Sequence, residues 1–197
     1  RRQRQMCIRD RVGNAQISTS VKKYGTGSLA FDGNGDWLVS SFDALSFGTG
    51  DYTIEGWVYP TANSADTYTA YVGGHTDNGS RILFGTKNSN NRLVIEQYGV
   101  GEIAISSAAI SKNTWTYVAV TRSGGTYRLF INGTIDGTGT NSASIGTGAC
   151  VVGAAAYAAG STINSALTGY IDDLRITKGY ARYTANFTPP TAAFPNN

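Results

Sequence analysis

Apolar and polar residues alternate with a period of two along most of this chain, and clusters of turn residues interrupt the alternation. The clearest runs are Trp115–Arg122 and Thr126–Ile131, which are rich in aromatic and β-branched residues. A short Ser-Gly-Gly turn separates them, and Asn132-Gly133 follows the second run. Both residues of that pair tolerate the positive φ of a tight type I′ turn. The pattern therefore predicts a three-stranded antiparallel meander that continues into Thr134–Thr138.

The same alternation predicts further strands on both sides of the meander. Ser28–Phe31 and Asp36–Ser40 are expected to form a hairpin, and Pro60 is expected to end its strand because proline cannot donate to a ladder. The predicted strands are Gln16–Val21, Ser28–Phe31, Asp36–Ser40, Asp51–Tyr59, Tyr68–Gly73, Arg81–Thr86, Arg92–Tyr98, Glu102–Ser106, Ala149–Gly153 and Gly169–Thr177.

No helical period separates these strands, and several central strands carry apolar residues on both faces. Strands at this spacing pack as antiparallel sheets face to face. The sequence therefore predicts an all-β fold, a two-sheet antiparallel jelly-roll β-sandwich, with long loops folded over one sheet.

The first eleven residues, RRQRQMCIRDR, differ in composition from everything that follows. They resemble a translated sequencing-adapter read-through of the kind found in metagenomic reading frames, so we expect residues 1–11 to be an appended tail outside the fold. Residues 12–190 are expected to form one domain, and residues 191–197 a C-terminal extension. Such sandwiches commonly reach this length as single units.

The formal charge of +3 is concentrated in that tail, which holds five of the sixteen basic residues. The remaining chain is close to neutral, and adjacent basic residues occur only at Lys22-Lys23. Binding to nucleic acid needs a cluster of Lys and Arg on the domain, so this partner is not expected. Membrane insertion is not expected either, because no run approaches ~18 uninterrupted apolar residues.

Paired carboxylates for glycoside chemistry are not evident in the sequence. Glu55, Glu96 and Glu102 fall on three different predicted strands. Asp172 and Asp173 are adjacent, so in a regular strand they point to opposite faces. We therefore expect the chain not to be an enzyme.

Three stretches together resemble the laminin-G-like domains of the concanavalin A-like lectin/glucanase superfamily. They are SLAFDGNGDWL, DYTIEGWVYP, and the meander WTYVAVTR with YRLFINGT, which GYIDDLRITKGYARY closes later in the chain. The resemblance covers about residues 16–190, and the closing motif is similar to copies in structural or adhesive proteins of bacteria and tailed phages. It implies recognition of carbohydrate or a cell surface, an extracellular or virion-associated location, and calcium binding in some members.

A possible calcium site follows from the turn between Asp32 and Asp36, because calcium takes six to eight oxygen ligands from adaptable loops. The resemblance implies a carboxylate partner in the closing strand, either Asp172 or Asp173. The alternative is that Asp32 and Asp36 shape their own turn and that Asp173 pairs with Arg175.

Tyrosines in or beside loops are the candidate platforms for a sugar ring. Trp57 and Trp115 lie within the strongest strands and are expected in the core. Half-buried packing at a strand edge is the alternative for each tyrosine. The candidate ligand-binding residues are Tyr68, Tyr71, Tyr98 and Tyr157.

Three functions follow from these observations. The first is a non-catalytic module that binds carbohydrate or a cell-surface glycan within a larger adhesive or virion-associated protein. The second is a structural module that contacts neighbouring protein modules without a small ligand. The third is a glycoside-active enzyme, which the lack of paired carboxylates disfavours.

Overall fold

The computed structural model describes residues 8–40, 44–75, 81–146, 148–156 and 163–195. Within these ranges the chain forms sixteen β-strands and no helix, so none of them belongs to a helix that could cross a bilayer. The strands are β1 (Ile8–Val12), β2 (Gln16–Ser18), β3 (Ser28–Asp32), β4 (Trp37–Ser40), β5 (Tyr52–Ala62), β6 (Tyr68–His75), β7 (Ile82–Lys87), β8 (Arg92–Gln97), β9 (Gly101–Ala109), β10 (Thr116–Ser123), β11 (Thr126–Ile131), β12 (Thr134–Thr140), β13 (Ala149–Val152), β14 (Ala155–Ala156), β15 (Ile163–Asn164) and β16 (Thr168–Lys178).

Two antiparallel sheets of seven strands each account for most of these strands. The first sheet has the order β1-β4-β13-β6-β7-β8-β9, and the second has the order β12-β11-β10-β5-β16-β3-β2. Strands β14 and β15 form a separate pair. The architecture confirms the predicted two-sheet jelly-roll β-sandwich.

The core lies between the two sheets and is built from residues that alternate along the central strands. Burial of this apolar surface is the main favourable contribution to folding. Its fully buried members include Tyr52, Ile54, Phe84, Leu93, Ile95, Val120 and Leu129.

The predicted meander is confirmed as β10-β11-β12 at one edge of the second sheet. Val118 pairs with Ile131, and Phe130 pairs with Ile135. Asn132 has φ of 50° and Gly133 has φ of 81°. Both residues of the turn therefore adopt the left-handed backbone that a type I′ turn requires.

The predicted hairpin of β3 and β4 is wrong. Strand β3 pairs with β2 and β16 in the second sheet, whereas β4 pairs with β1 and β13 in the first. The turn at residues 32–36 therefore carries the chain from one sheet to the other. Sequence alternation gives the face of each strand but does not identify its partner.

The prediction that Pro60 ends its strand is wrong, because Pro60 lies inside β5. Strand β10 pairs with β5 only as far as Thr116 opposite Val58. Beyond that point the edge of β5 that faces β10 has no ladder partner. A proline, which lacks an N–H, is therefore tolerated there. The Pro60 carbonyl still accepts a hydrogen bond of 2.8 Å from the Asn113 N–H.

The fold begins earlier than residue 12. Strand β1 pairs with β4 through Ile8 opposite Ser40 and Val12 opposite Trp37. Residues 8–11 are therefore part of the first sheet, because an exposed strand edge accepts a partner through its backbone whatever its side chains. Residues 1–7 lie outside the described part of the chain.

Residues 179–194, here the C-terminal segment, cover part of the outer face of the second sheet. Tyr183 and Phe187 pack on a buried layer of Trp57, Tyr117 and Phe130. The Phe187 N–H donates to the Gly133 carbonyl at 2.9 Å. Strands such as β5 and β10 are thus covered on both faces, in agreement with their nearly continuous burial.

A buried carboxylate lies on the sheet face beneath the C-terminal segment. Glu55 is fully buried and accepts hydrogen bonds from the Tyr117 hydroxyl at 2.5 Å and from Arg175 Nε at 2.7 Å. Burial and the nearby Glu55 carboxylate raise the pKa of Tyr117. Arg175 therefore pairs with Glu55. The pairing of Arg175 with Asp173, which the sequence offered as an alternative, is wrong.

Candidate functional site

The outer face of the first sheet is only partly covered. Ala155 of β14 packs against Ala70, Leu83 and Val94 near the middle of that face. Toward the edge strand β9 the face carries polar side chains. This open part, made by strands β6 to β9, is called the β6–β9 face.

Alternation along the strands places five charged residues on the β6–β9 face. Ile82, Phe84 and Ile95 point into the core, so their sequence neighbours point outward. Register then pairs Leu83 with Glu96, and Glu96 with Glu102. Among the described residues, the charged side chains on this face are Arg81, Lys87, Arg92, Glu96 and Glu102.

Glu102 is the centre of one hydrogen-bonded group on this face. Its Oε1 atom accepts a hydrogen bond from the Tyr68 hydroxyl at 2.9 Å and lies 2.7 Å from Lys87 Nζ. Partial burial opposes ionisation, but the bonds from Lys87 and Tyr68 outweigh it and lower the pKa of Glu102. Its carboxylate is thus held in the ionised form.

The pKa of Glu96 shifts in the opposite direction. Burial raises its pKa, with a smaller opposing effect from Arg81 and a reinforcing one from Glu102. Arg81 also stacks on Tyr98, with 4.3 Å between the guanidinium carbon and the ring centroid. Tyr98 is 48% exposed and stands beside the exposed Val100 at the end of the face.

The structure brings together two of the four predicted tyrosines. Tyr68 and Tyr98 both lie on the β6–β9 face. Tyr71 is 1% exposed and belongs to the core between the sheets, so it cannot contact a ligand at the surface. A bulge between Ala70 and Val72 turns its ring inward. Tyr157 lies outside the described residues.

The predicted calcium ligands fall into two separate groups. Asp36 is buried, and its two oxygens accept the Asn14 N–H at 2.7 Å and the Asp32 N–H at 3.0 Å. Asp32 accepts the Asn34 N–H at 2.7 Å. Hydrogen bonds from the Asn34 backbone and the Asn14 side chain lower the pKa of Asp32.

The two aspartates of the closing strand lie elsewhere. Asp172 accepts the N–H groups of Lys23 and Tyr24 at 2.8 and 3.0 Å, and Asp173 accepts that of Phe194 at 2.9 Å. Asp32 is opposite Thr168, which places Asp172 four residues, about 13 Å, further along β16.

The four carboxylates therefore do not fit one calcium ion. Among the residues that the structure describes, no group of three or more His, Cys, Asp or Glu side chains surrounds a metal position. Calcium binding at the Asp32 turn alone stays a prediction.

A laminin G family model, described as Concanavalin A-like lectin/glucanases superfamily, matches residues 31–182. The chain belongs to this laminin-G-like family. A comparison with curated protein sequences finds no match.

Solved structures share the laminin-G-like fold at low sequence identity. Domain 4 of AbnA, a GH43 extracellular arabinanase from Geobacillus stearothermophilus in complex with arabinotriose, has a TM-score of 0.67 at 18% identity, covering 86% of this chain and 77% of that one. Domains LG4-5 of the mouse laminin alpha1 chain give 0.56 at 17%, covering 92% and 48%. Carbohydrate binding module CBM66 from Bacillus subtilis gives 0.50 at 12%, covering 85% and 94%.

Sequence reasoning about this laminin-G-like chain missed the charged half of the face. Glu96 and Glu102 were known to be on different strands, but their direct opposition depends on the register of β8 with β9. A bulge between Ile95 and Glu96 shifts that register. The signal that was available is the alternation of charged with core residues in β7 and β8.

Proposed function

We propose that this laminin-G-like chain is a non-catalytic carbohydrate-binding module and that a saccharide lies on the β6–β9 face. The observation that carries the proposal is the convergence of hydrogen-bonding side chains beside a half-exposed aromatic ring on one open sheet face. Few convergent polar groups with an aromatic surface are typical of sites for small polar ligands.

Each group on this face has a separate part in binding. The ring of Tyr98, 48% exposed, offers a face or edge for the apolar side of a sugar. Glu102 and Glu96 accept hydrogen bonds from sugar hydroxyls, and Lys87 donates them. Because Tyr68 and Lys87 already hold Glu102 in place, little side-chain entropy is lost when a ligand binds.

The structural neighbours support the same reading. One neighbour is a carbohydrate binding module, and another is a domain of an extracellular arabinanase in complex with arabinotriose. We propose that this chain likewise works outside the cell, as one module of a larger adhesive or virion-associated protein. The alternative is a structural module that contacts neighbouring modules without a small ligand.

Hydrolysis is a second candidate, because Glu96 stands directly opposite Glu102. Such partners have Cβ atoms about 5 Å apart, so the two carboxyl groups can reach the separation of about 5–5.5 Å found in retaining glycosidases. Their pKa values also shift in opposite directions. Binding is preferred because the Glu102 carboxylate is already paired with Lys87 and accepts a hydrogen bond from Tyr68, which makes it a weaker nucleophile.

A glycan array tests the proposal, with wild-type protein and Tyr98→Ala applied with and without calcium. Tyr180→Ala is the matched control, because Tyr180 is 62% exposed in the C-terminal segment. We expect Tyr98→Ala to retain at least one glycan less strongly than the wild type and the control do. Equal retention by all three proteins would contradict the proposed face, no retention would favour the structural module, and release of reducing ends would favour hydrolysis.

A further inference from the structure

A second surface with aromatic and polar side chains lies on the outer face of the second sheet, at the end that the C-terminal segment leaves open. Tyr170 stands opposite Tyr59 on β5 and opposite Ala30 on β3. Ala30 in turn stands opposite Gln16 on β2. Trp115 precedes β10 next to Tyr59. These five residues form one line across five strands, here called the cross-strand row.

The aromatic half of the cross-strand row is continuous. The ring centroids of Trp115 and Tyr59 are 5.4 Å apart, and those of Tyr59 and Tyr170 are 5.7 Å apart. The interplanar angles are 56° and 72°, so the rings support one another edge to face. Each ring keeps part of its surface in solvent.

The other half of the row opens into a cavity of about 250 Å³. Ala30 has a short side chain between Tyr170 and Gln16, which creates the depression. The next line along the strands adds oxygen atoms at its wall, from Thr168 and from Asp32 opposite it. A cavity below about 300 Å³ is smaller than drug-sized pockets and suits a single small ring.

The charge of the cavity selects the kind of ring. Among the residues that the structure describes, its lining includes the carboxylates of Asp32 and the buried Asp36 and no lysine or arginine. The Asp32 carboxylate accepts the Asn34 N–H at 2.7 Å and remains exposed at the cavity. An anionic sugar would meet this negative charge without a compensating cation, whereas hydroxyl groups of an uncharged sugar donate to it.

We infer that the cross-strand row is a second saccharide-binding site, which takes an uncharged sugar unit in the cavity and stacks the adjoining units along Tyr170, Tyr59 and Trp115. The inference rests on the proposed carbohydrate-binding function but uses different residues on the opposite sheet. The domain then holds two saccharide chains, one on each outer face.

Isothermal titration calorimetry tests the inference. The probes are arabinotriose, xylotriose, cellotriose and maltotriose, with tri-galacturonic acid as the anionic comparison. The proteins are the wild type, Tyr170→Ala, Tyr98→Ala and the double variant. We expect two bound trisaccharides per chain for the wild type, one for each single variant and none for the double variant.

Exposed positions guard against loss of folding. Gln16 and Asp32 are both exposed, so Gln16→Ala and Asp32→Asn are expected to keep the fold and still weaken the second site. Each removes one hydrogen bond, and a loss of about tenfold in affinity corresponds to about 1.4 kcal/mol. Asp32→Asn should also narrow the preference for the uncharged trisaccharides over tri-galacturonic acid.

The outcomes separate the two sites. Loss of all binding in Tyr98→Ala alone, with unchanged binding in Gln16→Ala and Asp32→Asn, overturns the second site and leaves the proposed face. Loss of all binding in Tyr170→Ala alone, together with weakening in Gln16→Ala, supports the second site and removes the β6–β9 face. Absence of binding by wild-type protein to every probe overturns both.

Discussion

Asn132, in the turn between β11 and β12, provides a graded test of the meander. Its φ is 50°, its N–H donates to the Tyr117 carbonyl at 2.8 Å, and its Oδ1 accepts the Tyr117 N–H at 3.1 Å. Three substitutions remove these features in different combinations. They are Asn132→Gly, Asn132→Ala and Asn132→Pro.

The expected losses of unfolding free energy follow from what each variant retains. Glycine keeps the positive φ and the backbone bond, and it loses one side-chain hydrogen bond, about 1 kcal/mol. Alanine adds the cost of a left-handed backbone, about 1–2 kcal/mol, for a total of about 2–3 kcal/mol. Proline fixes φ near −65° and removes the N–H, which costs at least about 3 kcal/mol beyond the glycine variant.

Urea denaturation of the four proteins measures these differences in unfolding free energy. Thermal denaturation of the same proteins gives the corresponding shifts in Tm. In a domain of this size 1 kcal/mol corresponds to about 2–4 °C in Tm. The series should therefore descend by a few degrees from wild type to Gly to Ala, with Pro at least about 8 °C below wild type or unfolded. A proline variant as stable as the glycine variant would refute the assigned turn.

Two further predictions concern buried or half-buried glutamates. Glu55→Leu should lower the free energy of unfolding by about 3 kcal/mol, the lower end of the range of about 3–5 kcal/mol for breaking a buried pair, because Arg175 keeps some exposure. Glu55→Gln should lose less stability than Glu55→Leu. Equal losses by the two variants in thermal denaturation would argue against a role for the charge. Glu96 has a raised pKa, so it contributes stability below its unfolded pKa, near 4.3, that is lost as pH rises through its folded pKa. Glu96→Gln should therefore gain stability relative to wild type between pH 4 and pH 7 in urea denaturation, and a constant difference would show that the raised pKa is wrong.

The sequence predicted the meander well because all of its information is local. The Asn132-Gly133 turn joins neighbouring strands, and the alternation of each strand sets its face. The β3–β4 hairpin failed under the same rules. Its turn is rich in glycine, like a hairpin, but its flanking strands find partners far away in sequence, β16 for β3 and β13 for β4.

The candidate site on the β6–β9 face was likewise predictable only where the signal is local in sequence. Tyr98 and Tyr68 were predicted because they border loops, whereas the inward turn of Tyr71 depends on a bulge that the sequence does not reveal. The separation of Asp32 from Asp172 depends on the register of β16 with β3. The opposition of Glu96 and Glu102 depends on the register of β8 with β9.

The position of β16 in the second sheet has a consequence for the order of folding. Strand β16 (Thr168–Lys178) is the last of the described strands in sequence order, yet it lies between β5 and β3 near the middle of its sheet. Its contacts with both partners span more than a hundred residues, and contacts of such separation slow folding. During synthesis, β5 and β3 wait with unpaired edges until residue 178 has left the ribosome. The interval before β16 arrives is therefore the stage at which a nascent chain is most open to wrong pairing or to a chaperone.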